Sequence, residues 1–231
     1  MRPPRRPAGA EPAFKLASVL LQYPSAALFG GDEQLRAAAA AVSPRAARES
    51  FDRFLTWLHD TDPTAVAQHY VETFDLRRRC ALYLTYFRYG DTRKRGMSML
   101  AFKTAYRAAG FEPSEEELPD YLPLVLEFAS LTPKGEALLR RHRTDLELLI
   151  RGLRRAKSPY ADLVEAVSMQ LPRLDRHALA EVRKAWDAGP PAEEVGLEPF
   201  APPEYLRGEH DYRQGGPAFI GMPEPREEVR S

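Results

Sequence analysis

Cysteine is nearly absent from this sequence, and histidine is sparse. The 231 residues contain one cysteine, Cys80, so no disulfide bond forms within the chain and a reducing compartment is expected. None of the five histidines stands at the i, i+4 spacing that places two ligands on one helix face. These shortages exclude a disulfide scaffold and predict that the chain holds no metal ion.

The sequence also lacks an excess of charge and a long apolar run. Lysine plus arginine and aspartate plus glutamate each number 33, so a net charge of zero exerts no long-range attraction on nucleic acid or lipid. No apolar run approaches the roughly 18 residues that span a bilayer. The first twelve residues contain four prolines, which does not suit the apolar segment of a secretory signal. We therefore expect a cytoplasmic protein without stable membrane insertion.

Motifs for catalysis are weak. Cys80 follows three arginines that would favour its thiolate. However, the sequence shows no candidate for a general base and no third residue that would orient such a base. The glycine-flanked segment 90–96 lacks the Gly-Lys-Ser/Thr ending of a phosphate-binding loop and follows no buried strand. We predict that the protein is not an enzyme and has no catalytic or cofactor-binding residues.

Apolar residues recur at helical spacing along most of the chain. Phe51, Phe54, Leu55 and Leu58, for example, form one stripe of an amphipathic helix. Proline-marked joints and the lack of paired strand patterns predict an all-α fold, a single bundle-like domain of about nine to ten helices. The predicted limits are a disordered arm over 1–12, the helical domain over 13–188 and a proline-rich acidic disordered tail over 189–231.

The stretch 70–110 mixes aromatic and basic residues. Six aromatics fall in its first twenty residues, and the triplets Arg77–Arg79 and Arg93–Arg95 bracket their densest part. This interleaving predicts a partly solvated groove for a ligand that is partly apolar and partly charged, because tyrosine hydroxyls need polar partners. Two alternatives remain: the triplets bind nucleic acid while aromatics stack on bases, or the rings belong to the core behind a solvated rim of arginines.

Several motifs in this part of the chain resemble one family. They are Tyr70-Val71-Glu72-Thr73-Phe74-Asp75, Cys80-Ala81-Leu82-Tyr83-Leu84-Thr85-Tyr86, Tyr89-Gly90-Asp91-Thr92-Arg93-Lys94-Arg95-Gly96-Met97 and Glu117-Leu118-Pro119-Asp120-Tyr121-Leu122-Pro123, with Leu20-Leu21-Gln22-Tyr23-Pro24 near the start. Over roughly residues 14–187 the chain resembles the nitrate reductase molybdenum-cofactor assembly chaperones, the delta-subunit (NarJ-type) group of redox-enzyme maturation chaperones. Tyr121 stands where the family often has histidine, which weakens any role for an imidazole there.

The resemblance implies a chaperone that binds the N-terminal segment of the catalytic alpha subunit of respiratory nitrate reductase. Such a protein, a monomer or weak dimer, holds the apoenzyme for cofactor insertion before membrane assembly; the molybdenum cofactor goes to the client. An amphipathic peptide would lie among the rings, with charged residues fixing its direction. The predicted peptide-binding residues are Tyr70, Glu72, Phe74, Asp75, Tyr83, Tyr86, Phe87, Asp91, Arg93, Arg95, Pro119 and Asp120.

Overall fold

The computed structural model describes residues 10–90, 92–112 and 117–191. Within these ranges the chain forms twelve α-helices and no β-strand, which confirms the predicted all-α class. The helices are α1 (Ala10–Leu20), α2 (Ala26–Phe29), α3 (Asp32–Ala40), α4 (Arg45–Asp60), α5 (Pro63–Tyr70), α6 (Tyr86–Tyr89), α7 (Arg93–Arg107), α8 (Leu122–Leu131), α9 (Pro133–Arg141), α10 (Arg143–Arg155), α11 (Tyr160–Ser168) and α12 (Arg176–Ala188).

The first helix begins earlier than the sequence pattern predicts. Residues 10–12, assigned above to a disordered arm, form the first turn of α1, and Ala10 is buried there. Pro12 does not stop the helix because a proline in the first turn removes an N–H group that has no partner within the helix anyway. The rest of the predicted arm, residues 1–9, and the predicted tail from residue 192 onward lie outside the described residues.

The core lies among α1, α4, α8, α10 and α11. Helix α1 packs against α8 and α11, and α11 packs in turn against α4 and α10. The predicted stripe of α4 is confirmed, since Phe51, Phe54, Leu55 and Leu58 are all buried. The amphipathic pattern of this helix therefore places it correctly against the core.

Capping residues fix several helix starts. Asp62 accepts hydrogen bonds from the backbone N–H groups of Thr64 and Ala65, and Asp175 accepts one from Ala178, as side chains at helix N-termini do. The apolar pattern after Thr132 predicts one long helix, but this prediction is wrong because the chain breaks at His142 into α9 and α10. There the His142 ring packs on Phe102 with ring centroids 4.7 Å apart, and its Nδ1 lies 2.8 Å from Asp145.

The aromatic and basic stretch is folded irregularly between α5 and α7. A π-helical turn (Val71–Asp75) continues α5, and a short 3₁₀ turn (Arg78–Cys80) follows it. Tyr83 and Tyr121 form an isolated antiparallel bridge: the Leu84 N–H donates to the Asp120 carbonyl (3.0 Å) and the Leu122 N–H to the Leu82 carbonyl (2.8 Å). The segment 82–87, whose sequence favours a short helix or an extended connector, thus contains this one bridge, a turn at residues 84 and 85, and a helix that begins at Tyr86.

Candidate functional site

Five tyrosines from four parts of the chain form a continuous row, which we call the tyrosine row. Its members are Tyr23, Tyr70, Tyr121, Tyr83 and Tyr86. The rings of Tyr23 and Tyr70 meet edge to face with centroids 5.5 Å apart, and the hydroxyls of Tyr70 and Tyr121 lie 3.5 Å apart. The rings of Tyr121 and Tyr83 are 5.6 Å apart. Tyr23 is 57% exposed and Tyr121, Tyr83 and Tyr86 are half-buried, so four of the five side chains are partly open to solvent, while Tyr70 is buried.

Arg95 joins the last two members of the row. Its guanidinium carbon lies 5.3 Å from the centroid of the Tyr83 ring and 5.3 Å from that of Tyr86, within the range of cation–π attraction. Behind these rings Arg95 forms an ion pair with Asp120 at 3.6 Å, and both residues are buried. Arg95 and Asp120 were both predicted to bind the peptide, but their burial places them behind the rings, where they support Tyr83 and Tyr86 from the protein side.

Burial favours the neutral phenol at Tyr83 and at Tyr121. Burial, with the nearby Glu117 carboxylate as a second cause, raises the pKa of Tyr83 to about 12. Burial also raises the pKa of Tyr121. The Tyr83 hydroxyl donates a hydrogen bond to the Glu117 side chain at 3.1 Å. A surface of this kind combines apolar ring faces with hydroxyl groups that donate and accept hydrogen bonds, as protein-binding surfaces rich in tyrosine do.

Three aromatic residues that were predicted to bind the peptide lie in the interior rather than in an open groove. Tyr70 and Phe74 are each only 6% exposed, and Phe74 packs on Tyr160 with centroids 4.9 Å apart. The Tyr70 hydroxyl donates to the Leu21 carbonyl at 3.1 Å. Phe87 is buried and stacks on Trp186 of α12, with centroids 5.7 Å apart. The π-helical turn and α12 turn these rings toward the core, which sequence spacing did not reveal.

The charged members of the prediction are placed differently from one another. Glu72 and Asp75 are exposed on the π-helical turn, and Arg93 is exposed in the first turn of α7. Pro119 is buried, and its carbonyl accepts a hydrogen bond from the Tyr106 hydroxyl at 2.8 Å. Asp91 lies outside the described residues. Carboxylates and cations thus flank the tyrosine row, while Pro119 is part of its support.

Sequence reasoning missed the exposed apolar side chains around the row. Leu76 is 72% exposed beside Asp75, Met97 is 71% exposed two residues beyond Arg95, and Leu118 is 39% exposed beside Glu117. In the sequence, Tyr23 is distinguished only as part of the Leu-Gln-Tyr-Pro motif. These residues come from chain segments far apart in sequence, so no periodic pattern links them.

The two basic triplets do not form one basic face for nucleic acid. The Arg79 guanidinium lies over the Trp186 ring, 4.6 Å from its centroid, and donates to the Trp186 carbonyl at 2.8 Å. Arg95, the last residue of the second triplet, is buried. Binding through both complete triplets would therefore require these side chains to leave their protein partners.

The structure offers no support for thiol or metal chemistry in its described part. Cys80 is buried, and burial raises the pKa of its thiol to about 11, which disfavours the nucleophilic thiolate. Among residues 10–90, 92–112 and 117–191, no group of three or more His, Cys, Asp or Glu side chains is placed to hold a metal ion. In the same ranges no helix is long and apolar enough to cross a bilayer.

Comparison with known proteins gives consistent matches. A family model described as nitrate reductase delta subunit matches residues 40–166. The nitrate reductase-like protein NarX of Mycobacterium tuberculosis is 43% identical over 156 residues, which are 67% of this chain but 23% of NarX. A protein of Bacillus subtilis named as a probable nitrate reductase molybdenum cofactor assembly chaperone, NarJ, is 33% identical over 156 residues, covering 67% of this chain and 85% of NarJ.

The fold also has a counterpart among solved structures. A proposed redox enzyme maturation protein from Archaeoglobus fulgidus superposes with a TM-score of 0.54 at 20% sequence identity. The match covers 73% of this chain and 98% of the archaeal chain. At this identity the likeness concerns the fold alone.

Proposed function

The chain belongs to the nitrate reductase delta subunit family, and from this membership we propose that it is a chaperone for the assembly of a nitrate reductase. The observation that carries the proposal is the similarity to Bacillus subtilis NarJ, because it extends over most of that protein. The chain spans only about a quarter of NarX, so NarX adds support for the family and not for any activity of its remaining length.

In this proposal the client is the catalytic alpha subunit, bound through its N-terminal segment. The chaperone holds the apoenzyme in the cytoplasm while the molybdenum cofactor is inserted and before the enzyme assembles at the membrane. The cofactor goes to the client, and the chaperone acts as a monomer or weak dimer. Binding and release suffice for this role, so it needs no catalytic residue.

The tyrosine row is the proposed docking surface for the client segment. An amphipathic helix could lay its apolar face on the exposed parts of the Tyr23, Tyr83 and Tyr86 side chains. Tyrosine offers a large contact area with two side-chain torsions to fix, so little entropy is lost on binding. The buried ion pair behind the row supports this role because it holds two of the rings in place before a peptide arrives.

Charge around the row would set the direction of the peptide. Glu72, Asp75 and Glu117 provide carboxylates near Tyr70, Tyr121 and Tyr83, and Asp75 is close enough to raise the pKa of Tyr121 further. Arg93 provides a cation on α7. A peptide with basic residues toward the carboxylates would therefore bind in one orientation.

Calorimetry with a peptide that copies the first residues of the nitrate reductase alpha subunit tests the proposal. The full chain should bind the peptide, and replacing Tyr23 and Tyr86 by alanine should weaken binding about tenfold or more, as central aromatic contacts do. Matched control variants replace Phe111 or Leu131, which are 37% and 56% exposed and lie outside the row. Absence of binding by the unmodified chain would refute the client assignment. Equal weakening in the controls would refute the tyrosine row as the docking surface.

A further inference from the structure

A second concave surface, which we call the arginine pocket, lies next to Tyr86, whose hydroxyl accepts a hydrogen bond from Nε of the lining residue Arg78 at 3.2 Å. It has a volume of about 410 Å³, within the size range of small-molecule sites. The 3₁₀ turn, the end of α10 and the chain after α12 form its walls. Its lining residues are Arg77, Arg78, Arg79, Cys80, Gly152, Arg155, Ala156 and Pro190.

The pocket is strongly basic. Four of its eight lining residues are arginines, and none of the eight is acidic. The C-terminal end of α10 also faces this region, and a helix terminus there carries about half a negative charge. Four full positive charges outweigh that fraction, so the field in the pocket favours an anion with more than one charge.

Close packing holds the arginine-bearing turn in place. A methyl group at Gly152 of α10 would lie 2.2 Å from the Arg79 carbonyl oxygen, so only glycine lets the turn approach the helix this closely. The turn is closed by a hydrogen bond from the Cys80 N–H to the Arg77 carbonyl at 2.7 Å. The guanidinium groups of this turn therefore start from a fixed backbone, which lowers the entropy lost when they bind a ligand.

The protein contacts of Arg77 and Arg79 leave both side chains capacity for a ligand. Arg77 Nε donates to the Glu72 carbonyl at 3.2 Å, and one terminal nitrogen of Arg79 donates to the Trp186 carbonyl. Each guanidinium has five N–H donors, so a single contact uses a minor part of them. Arg77 and Arg155 are also exposed, so a ligand can reach them from solvent.

We propose that the arginine pocket binds the diphosphate or triphosphate group of a small molecule. Guanidinium groups bind phosphate oxygens through paired, charge-assisted hydrogen bonds, and four arginines line this one cavity. Linked phosphates carry more charge and more oxygen atoms than a single phosphate, so they can contact more than one of these arginines at once. No lining residue of the pocket belongs to the tyrosine row, and the existence of the site does not depend on the identity of the client.

Titration calorimetry of the full chain with inorganic pyrophosphate at low ionic strength tests the site. Pyrophosphate should bind at one site per chain and more tightly than inorganic phosphate or sulfate. Replacing both Arg77 and Arg155 by alanine should weaken binding about tenfold to a hundredfold, because each removes a charge-assisted contact. Both residues are exposed, and circular dichroism will show that the double variant is folded. The matched control replaces Arg45 and Arg107, two exposed arginines that do not line the pocket.

The outcomes divide cleanly. Tight pyrophosphate binding that is lost in the Arg77/Arg155 variant and retained in the Arg45/Arg107 variant supports the site; competition by ATP extends it to nucleotides. Three results overturn the proposal: no binding of pyrophosphate, equal weakening in both double variants, or binding of ATP without binding of pyrophosphate. Tighter binding of a single-stranded oligonucleotide than of pyrophosphate also overturns it in favour of a nucleic-acid surface.

Discussion

Arg95 faces Asp120 across 3.6 Å in the interior of the protein, and their side chains are only 9% and 0% exposed. The pair ties the first turn of α7 to the segment before α8. Asp120 also accepts a hydrogen bond from the Thr85 N–H at 3.2 Å, so it fixes the segment that carries Tyr83. One buried carboxylate thereby positions three separate pieces of chain under the tyrosine row.

Replacing Arg95 by alanine should lower the free energy of unfolding by about 3–5 kcal/mol, because the change leaves Asp120 charged and buried without its cation. Urea unfolding followed by circular dichroism measures the loss. Arg93→Ala is the matched control: it removes an arginine from the exposed face of the same helix turn and should change stability by at most about 0.5 kcal/mol. Similar losses in the two variants would contradict the role assigned to the pair.

Two glycine-to-alanine substitutions should have opposite effects. At Gly152 the new methyl group would meet the Arg79 carbonyl, and displacing the turn should cost a net of about 1–3 kcal/mol. At Gly96, on α7, no heavy atom lies within 4 Å of the new methyl group, so the gain in helix propensity should stabilise the protein by about 0.5–1 kcal/mol. Thermal unfolding of both variants checks the signs; a stabilised Gly152→Ala protein would show that the close approach is not obligatory.

Cys80 should react slowly with iodoacetamide. Burial raises the pKa of its thiol to about 11, so very little thiolate exists near pH 8, and the sulfur is also shielded from solvent. Alkylation followed by mass spectrometry should be at least about tenfold slower than for a free peptide cysteine. In denaturant the rates should converge. A rate above that of the free peptide would instead point to an activated thiol.

Stability should fall as the pH drops below about 6.5, in part because of His69. Burial lowers the pKa of this side chain from its ordinary value of 6.5, and its ring stacks on Tyr160 with Nε2 at 2.8 Å from the Ser158 hydroxyl. The unfolded chain therefore takes up the proton first: the contribution is complete above pH 6.5 and is lost as the pH falls through the folded-state pKa.

Denaturation of His69→Gln between about pH 7 and pH 5 measures this contribution. The variant should lose less stability over that interval than the unmodified chain. His177→Gln, at a side chain that is 84% exposed, serves as the control and should follow the unmodified chain. A pH profile of His69→Gln that matches the unmodified chain would remove His69 from the explanation.

The regular helices were the part of the fold that the sequence predicted well. The apolar stripe of α4 is a local signal, and it lies where the sequence predicts it. The break at His142 was missed because α9 and α10 both continue the same apolar pattern across it. At the break the His142 ring packs on Phe102, a contact between residues far apart in sequence.

The site was predicted less well, for a physical reason. A stretch of sequence that mixes aromatic and basic residues does not show which rings will face solvent. The π-helical turn and the packing of α12 determine this. Tyr83 and Tyr86 are partly exposed as the groove prediction required, whereas Tyr70, Phe74 and Phe87 are interior. Arg95 resembles its exposed neighbour Arg93 in sequence, and only the buried partner Asp120 distinguishes them. Burial of a charge depends on a tertiary contact that local patterns do not contain.

Helix α12 lies beyond residue 166, where the match to the family model ends. It nevertheless covers Phe87 and Leu148, which form a small apolar cluster with Val182. A fragment that ends at residue 166 would lack α12 and would expose Phe87 and Leu148 as an apolar patch prone to aggregation. Anyone shortening the protein for expression should therefore keep residues up to at least Pro191, whose carbonyl still accepts a hydrogen bond from Arg78.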